Sequence, residues 1–281
     1  MEMKEQKGTP TTPLGPKVNE QLKNAENETN FEGPYRQLVG GLLYLSVCTR
    51  IDIAYALSVL TQQFANPKQT HFHMALRVLH YLTGTRNFGL ILGGEEIPQI
   101  NAFSVADFAN CEITRKSMGG YVIFFGNSPV SWSAKKHRGI QALSSAESEI
   151  MQTTDTTREI MWVQPLIFDL GYPNINGSTI LHGDNTPAEC ILKNDPTHSA
   201  RTKHIDLRIK FCGEVIRNAQ RIVLRYIPTK LNLADIFTKS LATVRFRELR
   251  SALVNDMTEI FRNPNSLKLS LRVLRDFFSF K

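Results

Sequence analysis

The spacing of apolar residues along the chain changes from helical to strand-like near Phe88. Up to Gly84, apolar side chains recur every three or four residues in YRQLVGGLLYLSVC, IDIAYALSVLTQQF and THFHMALRVLHYLTG, a spacing that is typical of amphipathic helices. Asp52 is placed to support the start of the second helix through its charge, and Thr70 is a suitable N-cap for the third. The sequence therefore predicts a small helical module.

The segment after Phe88 predicts strands, followed by an alternation of helices and strands. FGLILGG and INAFSVAD are strand-like, and GGYVIFFGNSPVSWSAKK contains two β-rich runs around a Gly-Asn-Ser turn. A long helix is predicted from Ala142 to about Leu170. The strand STILHGD, a short helix, a basic helix over about 202–218, the strand RIVLRYIP and a last helix opening at NLADIFTKSL follow. This order predicts an α/β fold with a mixed sheet and helices packed on it.

The composition is that of a folded globular chain. Of its 281 residues, 42% are hydrophobic and 21% charged, which argues against disorder. The polar first residues do not resemble a secretory signal, and no apolar run is long enough to span a membrane, so we expect a cytoplasmic or nuclear protein. The four cysteines form no C-x-x-C pair, which argues against a zinc site and favours reduced thiols.

The basic charge of the chain is concentrated in one segment. The formal net charge is +7, and residues 201–230 alone carry eight Lys and Arg against two acids. A merely solvated helix mixes its signs, so this excess favours contact with a phosphate backbone. A plain solvent-exposed face is the alternative.

Three acids fall at the ends of predicted elements. Asp184 closes a strand, Asp235 follows the last strand, and Glu149 lies in the first turns of the long helix. Sites in open α/β sheets form beyond the carboxyl ends of the strands, and ligation by oxygen alone selects Mg²⁺ or Mn²⁺. Each acid read singly is an ordinary helix cap or surface residue, and the pattern alone leaves the two interpretations open.

Residues 35–253 resemble the carboxyl end of the Pol polyprotein of copia-type LTR retrotransposons. The motifs that carry this resemblance are YRQLVGGLLYLSVCTRIDIAYA, HMALRVLHYLTGT, RKSMGGYVIFFG, VSWSAKK, LSSAESEI, GDN, ARTKHIDLR and LADIFTK. The resemblance implies a ribonuclease H-like five-stranded mixed sheet with helices on both faces, over residues 96–242. It also implies that the end of a reverse transcriptase region (its thumb or connection) covers residues 34–95. An irregular lead-in (1–33) and a helical tail (243–281) complete the expected organisation.

The resemblance also assigns the acids. The family uses four carboxylates that hold two Mg²⁺ or Mn²⁺ ions and cut the RNA strand of an RNA–DNA hybrid. Glu149, Asp184 and Asp235 match three of them as catalytic and metal-binding residues. The first acid stands in a Ser-Asp-Ala-Asp run, which here reads Ser-Val-Ala-Asp, so Val105 occupies its position and Asp107 matches the acid that the family does not use for metal.

Asp107 is too far along the strand to replace the lost acid. Two residues of a strand span about 6.6 Å, whereas Mg²⁺ ligands lie about 2.1 Å from the ion. We therefore predict that occupancy of the metal site is impaired and that the nuclease is strongly weakened.

The resemblance further implies contact with nucleic acid. Arg201, Lys203 and His204 belong to the signature that begins the basic helix, and Lys136 follows a strand where it could touch a hybrid; water-exposed side chains are the alternative in each case. The chain has no adjacent pair of aspartates, the pair that the family's polymerase needs. A reverse transcriptase polymerase domain acting in trans is therefore a candidate partner, and the pattern implies no membrane and no particular oligomeric state.

Two further hypotheses stand beside an impaired ribonuclease H-type hydrolase. In the first, the chain is a catalytically inactive module that still binds an RNA–DNA hybrid. In the second, it is a degenerate transposon remnant without a selected function. Metal titration separates an enzyme from a binding module, and substitutions at Lys203 and His204 separate a binding module from a remnant.

Overall fold

The computed structural model describes residues 8–93, 99–109, 115–137, 141–172, 178–194 and 205–262. These residues form two compact units. One unit contains the described residues up to Leu90 together with those from Ser240 onward, and the other spans Ile91–Lys239. We call them the helical unit and the sheet unit.

The described residues contain α-helices and β-strands at the following positions. The helices are α1 (Val18–Ala25), α2 (Tyr35–Cys48), α3 (Ala54–Thr61), α4 (Gln69–Gly84), α5 (Ser145–Asp169), α6 (Thr186–Asn194), α7 (Asp206–Gly213), α8 (Thr243–Ser251) and α9 (Met257–Arg262). The strands are β1 (Phe88–Gly89), β2 (Ile100–Asp107), β3 (Met118–Phe125), β4 (Ser128–Lys136), β5 (Thr179–Gly183), β6 (Ile222–Tyr226) and β7 (Asn255–Asp256). Short 3₁₀ helices span Ile51–Ile53, Thr229–Leu231 and Leu233–Phe237, and a π-helical segment spans Glu214–Asn218.

The sheet unit is built on a five-stranded mixed sheet with the strand order β4-β3-β2-β5-β6. The pairs β2–β3 and β3–β4 are antiparallel, whereas β2–β5 and β5–β6 are parallel. The predicted α/β fold with a five-stranded mixed sheet is therefore confirmed. The hairpin predicted at Gly126-Asn127-Ser128 joins β3 to β4.

The two faces of the sheet are covered by different elements. One face packs against α5, α6 and α7 in a core that includes Ile100, Ala102 and Leu181. Because strand side chains alternate between faces, Phe103 and Val105 belong to the other face. There the side chain of Phe103 stacks on His182 and makes an edge contact with Phe124. The 3₁₀ helix Leu233–Phe237, whose five residues are all buried, lies against β2 and β3.

The helical unit is organised around a buried ion pair. The Arg50 guanidinium donates two hydrogen bonds to the carboxylate of Asp52, at 2.9 and 2.7 Å, and Tyr81 donates a third to the same carboxylate. Arg250, on α8, donates to the Tyr81 hydroxyl and lies over the Phe88 ring. Asp52 therefore connects its own segment to α4, and Tyr81 connects α4 to α8.

Three segments differ from the elements that the sequence predicted. Helix α1 lies within the expected irregular lead-in, where Val18 and Ala25 are buried. Only Phe88–Gly89 of FGLILGG is a strand, and it pairs with Asn255–Asp256 in the helical unit instead of joining the five-stranded sheet. The 3₁₀ helix Leu233–Phe237 replaces the helix predicted to open at NLADIFTKSL, and α8 begins only at Thr243.

Most of the tail, 263–281, lies outside the described residues. Across the described part of the chain, no helix is both long and apolar enough to cross a membrane.

Candidate carboxylate site

Val105 is buried near the end of β2, at the position that the resemblance assigns to the first acid. Its side chain is only 6% exposed. Gly120 is its direct partner on β3, and directly paired residues share a face of the sheet. A Cβ added at Gly120 would lie 2.4 Å from the Cβ of Phe237. The face that carries Val105 is therefore closed by the 3₁₀ helix Leu233–Phe237.

Glu149 reaches β2 from the first turns of α5. Ser144 caps this helix by accepting a hydrogen bond from the Glu147 backbone N–H, and the Glu147 carboxylate accepts one from the Leu143 N–H. This reciprocal pair is a capping arrangement, so Glu147 has a structural task. Glu149 instead turns to the sheet, where its Oε1 accepts a 2.9 Å hydrogen bond from the N–H of Ala106.

The surroundings of Glu149 favour its neutral form. Glu149 is only 6% exposed to solvent. Burial raises the pKa of Glu149 to about 8, against the hydrogen bond from Ala106, and the nearby charges of Asp184, Asp235 and Asp107 act in the same direction as burial. The other three acids therefore lie close enough to disfavour the charged form of Glu149.

Asp184 directly follows β5 and is partly buried. Burial raises the pKa of Asp184, and a hydrogen bond from the Thr229 side chain opposes that shift. The charge of Asp235 raises the pKa of Asp184 further, whereas that of Lys239 lowers it. The parallel pairing of β5 with β2 brings this acid to the same end of the sheet as Val105.

Asp235 lies in the 3₁₀ helix Leu233–Phe237, and Asn232 fixes that helix to the sheet. The Asn232 side chain, which is fully buried, donates a 3.0 Å hydrogen bond to the Ser104 carbonyl and accepts one of 3.1 Å from the Ala234 N–H. Asp235 is itself 4% exposed, and its Oδ1 lies 2.9 Å from the Nζ of Lys239. The acid is thus held beside β2 with a lysine as counter-ion.

The structure brings the three predicted acids to one end of the sheet, but it does not arrange them as a metal site. Among the described residues, no group of three or more His, Cys, Asp or Glu side chains is placed to hold a metal ion. Asp107, the last residue of β2, lies in the same region, and Val105 contributes no ligand. Val105 supplies no ligand oxygen, so the chain lacks one of the four carboxylates that the resemblance implies for a pair of Mg²⁺ or Mn²⁺ ions.

Of the four residues predicted to contact nucleic acid, the structure describes Lys136 alone. Arg201, Lys203 and His204 lie outside the described residues, whereas Lys136 ends the edge strand β4 and is partly exposed. Some basic side chains farther along the same segment have structural tasks. Arg208 pairs with Asp155 on α5 at 3.0 Å, and the Arg217 guanidinium donates to a carbonyl on α6.

Sequence patterns did not identify several residues that shape this site. These residues are Gly120, Thr229, Asn232 and Lys239. Two of them carried a readable signal: a glycine inside a strand indicates close approach of another segment, and a lysine four residues after an acid can pair with it. The reach of Asn232 to a carbonyl 128 residues earlier has no such local signal.

Comparison with known proteins identifies the family. No protein-family model matches the chain. The Pol polyproteins of the Arabidopsis thaliana transposons RE1 and RE2 are 34% identical over 244 residues and 36% identical over 214 residues. These matches cover 86% and 76% of this chain. The foamy viral protease-reverse transcriptase, solved in complex with an RNA/DNA hybrid, matches 79% of this chain and 28% of its own, with a TM-score of 0.44 and 14% identity.

The chain belongs to the retrovirus-related Pol polyproteins of copia-type transposons, as its motifs indicated. It spans 16% and 14% of the length of the RE1 and RE2 polyproteins. The activities of those much longer proteins are therefore a matter of proposal for this chain.

Proposed function

We propose that the sheet unit binds RNA–DNA hybrids and that its ribonuclease H-type hydrolysis of the RNA strand is strongly impaired. The observation that carries the proposal is the buried side chain of Val105 at the end of β2. It lies one residue before Ala106, which binds Glu149, and beneath the 3₁₀ helix that carries Asp235. A hydrocarbon thus stands among the acids, where the family's reaction requires a fourth carboxylate.

Asp107 does not restore the missing group. It lies two residues along β2 from Val105, which corresponds to about 6.6 Å, and the register of β2 against β3 is regular from Ile100 to Asp107. A bulge that could move Asp107 into the earlier position is therefore absent from this strand pair. This regular register supports an impaired reaction.

The positive charge of one segment supports binding of an RNA–DNA hybrid. Residues 201–230 have a large excess of Lys and Arg, and Lys136 adds a cation at the end of β4. A hybrid is recognised mainly through its A-like shape, its phosphates and its 2′-hydroxyls, so we expect little base specificity. We assign phosphate contact to Arg201, Lys203 and His204, which belong to the family motif at the start of the basic segment, and to Lys136 at the end of β4.

Binding is tested by fluorescence anisotropy of a labelled hybrid with the full chain. Alanine substitutions at Lys136, Lys203 and His204 should each weaken binding, and the lysine variants should also flatten its dependence on salt. Lys193→Ala is the matched control. This substitution removes the same charge from the chain, at a lysine that pairs with Glu189 on α6. Equal binding by all four variants and the native chain would contradict the proposal and favour a remnant without function.

The alternative is that cleavage is lost completely while binding remains. The lack of a three-residue metal group among the described residues favours this alternative. A single-turnover assay with excess protein over a hybrid distinguishes slow cleavage from none. Near-normal cleavage at millimolar Mg²⁺ would contradict both the proposed impaired hydrolysis and the complete loss of cleavage.

A further inference from the structure

The second half of α5 is buried on one side only. Between Ile160 and the end of the helix at Asp169, the buried side chains are those of Ile160, Val163 and Ile167, which belong to the core of the sheet unit. Their spacing places them on one face of the helix. The opposite face of such a helix is usually polar, but here it carries Trp162, which is 62% exposed.

Four exposed residues form this outer face of α5. Arg158, Trp162, Pro165 and Asp169 follow one another at intervals of four, three and four residues. At 3.6 residues per turn, these intervals keep the four side chains in one line along the helix. We call this line the α5 ridge. Leu166 lies beside it and is 43% exposed.

The α5 ridge is complementary to itself when its direction is reversed. Its two ends carry opposite charges, on Arg158 and Asp169, its middle is apolar, and its intervals are the same from either end. In an antiparallel pair of such helices, Arg158 of each copy meets Asp169 of the other. Trp162 of each copy then packs against Pro165 of the other. Contact between identical surfaces of this kind is what a two-fold axis requires.

We propose that the α5 ridge is the contact surface through which two copies of this chain form an antiparallel, two-fold dimer. Intervals of four, three and four residues are those of a helical seam that packs against another helix. The charges favour a second copy as the partner, because the chain itself supplies both members of each ion pair. They disfavour a nucleic acid, since Asp169 would repel its phosphates. The proposal goes beyond hybrid binding and hydrolysis and does not depend on them.

Arg158 is positioned so that it can make this contact. Its guanidinium lies 5.6 Å from the centroid of the Phe211 ring and 3.6 Å from Oδ1 of Asp155, while its side chain is 59% exposed. A guanidinium has five N–H donors, so donors remain for a carboxylate of another copy. Asp155 is also paired with Arg208 at 3.0 Å, and it therefore keeps a cation when Arg158 binds elsewhere.

The contact is small and separate from the carboxylate site. One helix face per copy is expected to bury less than the roughly 1,200 Å² at which stable interfaces begin, so the dimer should dissociate on dilution. The ridge begins nine residues after Glu149, which corresponds to about 13.5 Å along α5. Glu149 itself turns to β2, where it accepts from Ala106. The dimer contact and the carboxylate site therefore use different faces of the helix.

Sedimentation velocity of the full chain between about 1 and 100 µM measures the equilibrium between monomer and dimer. The native chain should pass from monomer towards dimer over this range. Trp162→Ala should raise the dissociation constant at least about tenfold, because a tryptophan at the centre of a two-fold contact is lost twice. Tyr44→Ala is the matched control and should leave the dissociation constant unchanged. Tyr44 is a 70% exposed aromatic residue on α2, in the helical unit.

Reversal of charge tests the antiparallel arrangement. Arg158→Glu places acids opposite each other at both ends of the contact, and Asp169→Arg places cations there, so each variant alone should remain monomeric. An equimolar mixture of the two should form dimers, because each copy supplies the charge that the other requires. The double variant, Arg158→Glu with Asp169→Arg, should dimerise like the native chain. A parallel pair of helices would bring like charges together in this double variant.

Thermal melts followed by circular dichroism show which variants are folded. A native chain that stays monomeric over the whole concentration range would overturn the proposal. A dimer that Trp162→Ala leaves intact would do the same, as would a mixture of folded charge variants that stays monomeric. If a charge variant does not fold, the comparison of Trp162→Ala with Tyr44→Ala decides the question. A monomeric native chain whose affinity for a hybrid falls in Trp162→Ala would overturn the dimer and assign the ridge to nucleic acid.

Discussion

The backbone N–H of Ala106 donates a 2.9 Å hydrogen bond to Oε1 of Glu149. This bond connects the first turns of α5 to β2, directly beside the buried side chain of Val105. Glu149 is therefore fixed to the sheet by a backbone donor. Since hydrogen bonding to a carboxylate lowers its pKa while burial raises it, the raised pKa of Glu149 means that burial prevails.

The first prediction concerns the pH dependence of stability. The pKa of Glu149 is about 8 in the folded chain and about 4.3 in an unfolded chain. Between these values the folded state holds a proton that the unfolded state has released, so the contribution of Glu149 to the free energy of unfolding falls as pH rises. The fall is at most about 1.4 kcal/mol per pH unit.

Urea denaturation of the native chain and of Glu149→Gln measures this effect. The variant cannot ionise at this position, so its free energy of unfolding, relative to that of the native chain, should rise from pH 5 to pH 7.5. An equal difference in the free energy of unfolding at both pH values would show that Glu149 titrates alike in the folded and unfolded states.

The second prediction concerns Asn232. Asn232→Leu removes the hydrogen bonds to the Ser104 carbonyl and the Ala234 N–H and leaves both groups in a buried setting. We expect a loss of about 2–4 kcal/mol in the free energy of unfolding, measured by chemical denaturation. Asn218→Leu is the control, because Asn218 is exposed and bonds only to the nearby Glu214 in the described contacts. Equal losses in both variants would contradict the role of Asn232.

The third prediction concerns the glycine opposite Val105. Gly120→Ala places a Cβ against Phe237, and relief of that contact requires the 3₁₀ helix Leu233–Phe237 to move. We expect a loss of about 1–3 kcal/mol. Gly183→Ala on β5 is the matched control, since a Cβ there meets nothing within 4 Å. Thermal melts of the two variants should differ clearly, and coincident melts would refute the close packing at Gly120.

The fourth prediction concerns the helical unit. Asp52→Asn removes the charge that compensates the buried guanidinium of Arg50, and we expect a loss of about 3–5 kcal/mol. Glu20→Gln is the control, because its ion pair with Lys17 is exposed and such pairs contribute about 0–1 kcal/mol. Urea denaturation followed by circular dichroism measures both. A loss at Asp52 no larger than that at Glu20 would contradict the structural role of the network.

The sequence predicted the elements that have a local signature. The alternation of residues in β2, the helical spacing in α2 to α4 and the Gly-Asn-Ser turn between β3 and β4 all reflect contacts within or beside one element. The positions of Glu149, Asp184 and Asp235 at element ends followed from the same reasoning. The family motifs then distinguished Val105 from Asp107, which spacing alone could not do.

The features that sequence patterns missed depend on partners far along the chain. Asn232 bonds to Ser104, and Asp52 bonds to Tyr81, whose hydroxyl in turn accepts from Arg250. Periodicity shows which face of an element is buried but not what covers it. For the same reason FGLILGG, which is strand-like in composition, pairs with a segment near Asn255 instead of the five-stranded sheet.

The central claim, that Val105 is the residue that impairs hydrolysis, is tested most directly by cleavage of a hybrid with a labelled RNA strand at millimolar Mg²⁺. The native chain, Val105→Asp and Val105→Asn are compared, with the asparagine variant as a control of similar size without charge. We predict that Val105→Asp cleaves the RNA strand faster than the native chain by orders of magnitude, and that Val105→Asn does not. Near-normal cleavage by the native chain would contradict the account, and so would a Val105→Asp variant that binds the hybrid but cleaves it no faster than the native chain.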